Sequence, residues 1–257
     1  MSVFNEYARF YDLFYRDKDY AGEAAYVGDL LRQHAPQAVE LLNLGCGSGR
    51  HDRELLRQGY RISGVDCSTE MLTTARRESS GLEGLDYHAG DIRSIRLDRQ
   101  YDAVVSLFHV ISYQTTNDDL LAAFATARAH LAAGGVFIFD CWYGPGVLTD
   151  RPEVRTRRYE DDEVAVTRSA HPVMHPDLDV VAVQYQLDIQ HKPGGSTEQV
   201  GEIHRMRYLF QPELQLLLSL TGFAVIEAQE WLSGRPLAFD TWNAVFVCCA
   251  IDRRVNA

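Results

Sequence analysis

The chain has 257 residues, of which 46% are apolar, 24% charged and 11% aromatic, with a formal charge of −11. That balance is ordinary for a globular protein and excludes collagen-like, disordered and disulfide-scaffold classes, and the acidic charge gives no general footprint for nucleic acid. The longest unbroken apolar run, 244–251, is far shorter than the ~20 residues that span a bilayer, and MSVFNEYARF lacks a basic-then-apolar signal pattern, so a cytoplasmic protein with no membrane partner is expected.

In chain order, an amphipathic stretch from Glu23 to His34 precedes an apolar run, Val39 to Leu44, and then a helix-like HDRELLRQ closed by Gly59. A second strand follows at 61–65. Next come a helix from Ser68, a plausible N-cap, to Glu78, a short strand at Leu85 to His88, and a strand at Tyr101 to Phe108. A helix from Asn117 to Ala132 ends at Gly134 and Gly135 and leads into a strand from Val136 to Cys141. These nearly continuous apolar strands, alternating with helices, predict an α/β fold whose mostly parallel sheet is buried on both faces and wound in two directions from its first strand. Near residue 142 the texture changes. From Arg157 to Phe210 apolar and polar residues alternate, with a turn at Pro193-Gly194-Gly195, which predicts an antiparallel β insertion after the fifth strand. Helix Pro212 to Leu220 and strands Phe223 to Glu230 and Asn243 to Ala250 return to the main sheet.

One domain over 1–257 is expected, comprising an N-terminal helical cap (1–38), a ligand-binding core (39–141), the insertion shaping a second site (142–211) and a closing segment (212–257). Five cysteines without a C-x-x-C pair indicate reduced thiols and no zinc site. His171 and His175 have the spacing of a helical metal pair, but Pro172 and Pro176 remove a regular helix there, so no metal is expected. The run Glu160 to Glu163 reads as a solvated turn.

The sharpest signal is LLNLGCGSGRH, an apolar strand running into Gly45, Gly47 and Gly49, with Asp66 at the tip of the next strand, 21 residues after Gly45. Glycines let a backbone approach a ligand closely, and the following helix points free N–H groups at its anionic end. A carboxylate at the second strand tip is placed to accept both hydroxyls of a ribose. Together these residues describe an adenosine-ligand site. A nicotinamide fingerprint would need glycine where Arg50 stands.

The G-x-G-x-G pattern, followed by GVDCSTEML and AGDI, resembles the motifs of class I S-adenosylmethionine-dependent methyltransferases, most strongly over 39–141. The resemblance implies a seven-stranded Rossmann-like sheet, with S-adenosyl-L-methionine held by the glycine loop at its methionine portion, by Asp66 at its ribose and by Asp91 and Ile92 at its adenine. The family usually has an acidic residue where Asn43 stands, which here leaves an amide and no charge. The flanks FYDLFYRDKDY, VTRSAH, EIHRMRYLF and SGRPLAF, with Trp142, resemble N-methyltransferases of nucleotide-activated, dTDP-type amino sugars. That likeness implies Tyr11 and Tyr20 over the methionine end of the cofactor, a backbone contact from Leu107, and Arg235 on a nucleotide diphosphate. Aromatic faces also suit a sulfonium.

The loop FHVISYQT, at the carboxyl end of the fourth strand, offers His109 and Tyr113 as catalytic candidates, either accepting a proton or orienting the acceptor. Related sugar enzymes often carry histidine at the place of Tyr113, and a phenol with a pKa near ~10 orients better than it deprotonates. Trp142 is a candidate to stack on a base or sugar. Arg168, Arg205 and Arg207 join Arg235 as candidates for phosphate oxygens. The expected partner is a small molecule, a nucleotide sugar; a homodimer is left open. Methylation of another small metabolite on nitrogen or oxygen, and cofactor binding without catalysis, stay open as alternatives.

Overall fold

The computed structural model describes residues 6–251, with side chains from Arg9 onward; the ends of the expected cap and closing segment, 1–5 and 252–257, lie outside the described residues. Helices α1 (Glu6–Phe14) and α2 (Tyr20–His34) precede β1 (Glu40–Leu44), α3 (Arg50–Arg57), β2 (Arg61–Asp66), α4 (Thr69–Glu78) and β3 (Leu85–Ala89). Then follow β4 (Tyr101–Ser106), a short 3-10 turn (Val110–Tyr113), α5 (Asn117–Ala129), β5 (Leu131–Trp142) and α6 (Gly144–Thr149). The remainder comprises β6 (Arg155–Glu160), β7 (Val164–His175), β8 (Val180–His191), β9 (Thr197–Arg207), α7 (Gln211–Leu220), β10 (Phe223–Glu230) and β11 (Asn243–Ala250).

The main sheet has the order β10-β11-β5-β4-β1-β2-β3, with β11 antiparallel to both its neighbours and the other pairings parallel. The expected seven-stranded doubly wound sheet is therefore present. Its strands divide their side chains between two cores, as a period of two requires. Leu42, Val104, Phe137, Phe139 and Phe246 meet α5 and α7 on one face, whereas Leu41, Ala103, Val105, Ile138 and Val247 meet α2 and α3 on the other. Fully burying each such side chain contributes about 1.5–3 kcal/mol, so neither helical layer is dispensable.

Local chemistry sets the helix starts. Asp19, Ser68 and Thr116 accept from the backbone N–H groups of Gly22, Met71 and Asp119, removing one orphan donor each. Two of the boundaries that differ from expectation have local causes. Helix α5 stops at Ala129 because the ring of His130 is held between Thr126 O (2.8 Å) and the N–H of Leu97 (2.8 Å), and Leu131 already pairs with Tyr101. Strand β4 stops at Ser106 because Phe108 and His109 adopt left-handed backbone angles, φ 67° and 63°.

The insertion is a four-stranded antiparallel sheet, β6-β7-β8-β9. Phe10 and Phe14 of α1 pack on its inner face with Val166, Leu187 and Ile189, while Val181 and Val183 pack with Val147 and Tyr208. Helix α1 thus joins the second sheet to the carboxyl ends of the first. No helix among the described residues is long and apolar enough to cross a membrane.

Candidate active site

The carboxyl ends of the central strands are tied together by side chains. The hydroxyl of Ser106 donates to Leu44 O (2.7 Å), and the backbone N–H of Trp142 donates to Ser112 Oγ (2.9 Å). Asp66 accepts from the backbone N–H of Gly47 through Oδ2 and from that of Ser68 through Oδ1, both at 2.8 Å. Burial raises the pKa of Asp66 while these bonds favour its charge, and each oxygen keeps a lone pair for a further donor.

Gly45, Gly47 and Gly49 all have positive φ, 86°, 55° and 71°. A Cβ on Gly45 would come within 2.5 Å of Val110, and one on Gly49 within 2.3 Å of the Tyr87 hydroxyl, whereas Gly47 faces open space. The loop is therefore a bare backbone surface bordering a cavity of about 740 Å³. A cavity of that size can enclose small-molecule ligands.

Tyr11, Tyr20, Gly45, Gly47, Asp66, Asp91, Ile92, Leu107, His109, Tyr113 and Trp142 all line this one cavity. Gly49 does not line it; it shapes the loop as the left-handed N-cap of α3. Asp91 is held by Arg93, whose Nε lies 3.0 Å from Oδ1 and Nη2 2.6 Å from Oδ2, and this pairing keeps its carboxyl below the usual range. Asn43 donates to Asp52 Oδ1 (2.6 Å) beneath the glycine loop. Burial pushes the carboxyl of Asp52 up to about 7, against the opposing Asn43 bond.

An aromatic group closes one end of the cavity. Tyr15 stacks obliquely on Tyr11 at 4.7 Å and meets Phe108 edge-on at 5.0 Å, and the ammonium of Lys18 lies 4.3 Å from the Phe108 centroid. Arg50 lies 5.0 Å from the Tyr20 ring. His109 is pinned from behind by the fully buried Asp140, whose Oδ2 accepts its backbone N–H at 3.1 Å and lies 2.7 Å from Nδ1, without a well-aligned hydrogen bond to the ring.

The four arginine candidates are placed differently from one another. Arg235 lies outside the cavity lining and pairs with Glu230 through Nε (2.5 Å) and Nη2 (2.9 Å). The reason is topological: its turn connects β10 and β11 at the far edge of the sheet, beyond β5 and β4 from the glycine loop. Arg168 lies behind the cavity wall, with its guanidinium 4.9 to 5.8 Å from the rings of Phe14, Tyr159, Tyr185 and Tyr15 and Nη2 donating to the Tyr159 hydroxyl. Arg207 pairs with Glu213 (3.4 Å) at the start of α7. Arg205 borders the cavity from the edge strand β9, but alternation sends its side chain to the opposite face from His204 and Met206.

Sequence reasoning missed Tyr15, Phe108, Tyr185 and His204 as lining residues, and Asp140 behind His109. Tyr15 was within reach, because it follows Tyr11 by one helical turn. His204 was not, since alternation alone does not say which face of a strand meets a cavity.

A methyltransferase-domain family model matches residues 41–135. The dTDP-3-amino-3,4,6-trideoxy-alpha-D-glucopyranose N,N-dimethyltransferase of Streptomyces venezuelae is 33% identical over 90% of this chain and 94% of its own. The dTDP-3-amino-3,6-dideoxy-alpha-D-glucopyranose N,N-dimethyltransferase of Streptomyces fradiae is 29% identical over 90% and 87%. Among solved structures, Streptomyces venezuelae DesVI superposes with a TM-score of 0.79 at 30% identity, over 96% of this chain and 99% of its own. The sugar N-methyltransferase KedS8 from Streptoalloteichus gives 0.81 at 25% identity, over 98% and 97%. With a glycine loop, a strand-tip carboxylate and a shared cavity of this form, the chain belongs to the S-adenosylmethionine-dependent methyltransferases.

Proposed function

We propose that the protein transfers a methyl group from S-adenosyl-L-methionine to the amino group of a nucleotide-linked amino sugar. The observation that carries this reading is the one cavity that brings the glycine loop and Asp66 together with His109, Tyr113 and Trp142, in a chain with two relatives over 90% of its length that are named for such acceptors. The residues fit the cofactor: Gly47 leaves open backbone, and Asp66 has lone pairs left for the ribose hydroxyls. Gly45, Gly47 and Gly49 would shape the methionine site, Tyr11, Tyr20 and Leu107 would enclose it, and Asp91 and Ile92 would border the adenine. When bound, the cofactor supplies an electrophilic methyl carbon on a sulfonium.

The chain's own work is to hold a neutral nitrogen on the line of that carbon, because fixed near-attack geometry is worth several kcal/mol of barrier. Trp142 provides a flat apolar face, and its ring is anchored edge-on by Trp242 at 5.0 Å. His109 and Tyr113 stand at the junction of the two halves. Arg168 places a fixed positive charge behind Tyr15 and Tyr185, which line the cavity, and such a charge would favour an anionic nucleotide.

The test is methyl transfer from labelled S-adenosylmethionine to a panel of dTDP-linked 3-amino and 4-amino sugars and to the same sugars without the nucleotide. Label on the nucleotide-linked amines supports the reading; label only on hydroxyl acceptors or on unrelated metabolites replaces it with another small-molecule methyltransferase.

A further inference from the structure

On the buried inner face of the insertion, two polar groups stand in series with Tyr113 of the core loop. Tyr113 Oη lies 2.9 Å from His204 Nδ1, and His204 Nε2 lies 3.1 Å from Glu202 Oε2. His204 is only 3% exposed, and Glu202 and His204, two apart on β9, face the same side opposite Tyr185 and Val183 of β8. The ring of Tyr185 meets that of His204 edge-on at 4.9 Å, and Tyr113 and Tyr185 line the acceptor half of the cavity. We infer that Tyr113, His204 and Glu202 form a proton relay, in which Tyr113 contacts the acceptor amine while His204 and Glu202 act through it.

The chemistry of the donors and acceptors sets the direction. A carboxylate only accepts, so Glu202 takes the N–H of Nε2, which leaves Nδ1 bare to accept the Tyr113 O–H. A hydroxyl oxygen accepts as well as donates, so the Tyr113 oxygen, at the cavity lining, can also take an N–H from the acceptor. Burial pushes the Tyr113 phenol well above its ordinary pKa, so it stays protonated at rest and works only by passing its proton on.

The inference rests on the amine-acceptor reading, since an ammonium has no lone pair with which to attack. One ammonium proton moves to the Tyr113 oxygen as the Tyr113 hydroxyl proton moves to His204 Nδ1. One N–H and one O–H bond break, and one O–H and one N–H bond form. The amine becomes neutral, Tyr113 ends as a phenol, and His204 becomes an imidazolium beside Glu202 until it releases the proton to solvent. Among the described residues, the groups around the relay include Tyr185 from β8, Tyr15 next to α1 and, behind Tyr15 and Tyr185, Arg168 from β7. Glu202 supplies the negative charge that stabilises the imidazolium against Arg168.

The arrangement is readable without any acceptor, by 15N NMR of histidine-labelled protein. The expected result is His204 protonated on Nε2 and bare on Nδ1, with a Nδ1 resonance that moves in Y113F. A His204 protonated on Nδ1 overturns the relay whatever the acceptor proves to be. In turnover with a nucleotide-linked amino sugar, H204Q lowers kcat about 100-fold, with S-adenosylhomocysteine affinity and acceptor KM within about threefold, and its rate keeps rising with pH where the parent has levelled. E202Q lowers the plateau of kcat, because the imidazolium formed in turnover has lost its counter-charge. Both variants matching the parent in kcat and in the shape of the pH profile overturn the relay. If the parent methylates no nucleotide-linked amino sugar, the functional reading fails, and the tautomer result still decides the relay.

Discussion

Replacing Asp66 by asparagine tests the centre of the cofactor site with almost no change of shape. Asp66 Oδ2 and Oδ1 each accept a backbone N–H at 2.8 Å, from Gly47 in the glycine loop and from Ser68 at the start of α4. Asparagine keeps one acceptor and turns an N–H2 donor toward the other donor. A hydrogen bond to a charged group contributes about 1.5–3 kcal/mol, and the facing donors and the weaker ribose acceptor add to that loss. A total of about 2–4 kcal/mol weakens binding by about 30- to 700-fold at 1.4 kcal/mol per tenfold. The assay is calorimetric titration with S-adenosylhomocysteine, with thermal unfolding as a control for the ligand-free fold. Because burial pushes the Asp66 carboxyl above its ordinary range, parent affinity also falls as pH drops toward that pKa, and the asparagine variant does not share the fall. An affinity within about threefold of the parent, with the same pH dependence, would refute the assignment of Asp66 to the ribose.

The buried Asp52 predicts a stability change that depends on pH. Its carboxyl is raised from 3.8 to about 7, a gap of about 4 kcal/mol at the limit. A raised folded pKa means that the native state holds the proton longer, so this contribution is full below the ordinary pKa and is lost as pH rises through the folded one. Asp52→Asn, which keeps an acceptor for Asn43, is therefore more stable than the parent above about pH 7 and nearly equal to it near pH 4 in urea unfolding; a constant difference across that range contradicts the assignment. Arg235→Ala leaves the KM of a nucleotide-linked acceptor within about twofold, because its guanidinium is occupied by Glu230 outside the cavity; a tenfold rise restores it as a phosphate ligand. Asp140→Asn lowers turnover about 10- to 100-fold while S-adenosylhomocysteine binding holds, because the carboxylate fixes His109 at the junction of the two halves; unchanged turnover removes His109 positioning from the account.

What the sequence disclosed follows from how local each signal is. Gly45, Gly47, Gly49 and Asp66 lie within one βαβ unit, so their spacing alone fixes their geometry once strands and helix are recognised. The doubly wound, mostly parallel sheet followed for the same reason. The rest of the cavity is built from long-range neighbours, and Tyr113 and His204 meet across 91 residues. Alternation along EIHRMRYLF predicts a strand but not which side covers the cavity. Arg235 lies outside the cavity lining for a related reason: a resemblance in SGRPLAF places a residue in a turn, and only the sheet order shows that this turn belongs to the far edge. His130 ended α5 early through contacts with Thr126 and Leu97 that no propensity describes.

The most direct test of the central claim is mass spectrometry of a dTDP-linked 3-amino sugar, paired with its 3-hydroxy counterpart, after incubation with the protein and S-adenosylmethionine. The account predicts a mass gain of one or two methyl groups on the amino sugar alone. No gain on the amine by protein that binds S-adenosylhomocysteine, or a gain on the hydroxy sugar, would contradict it.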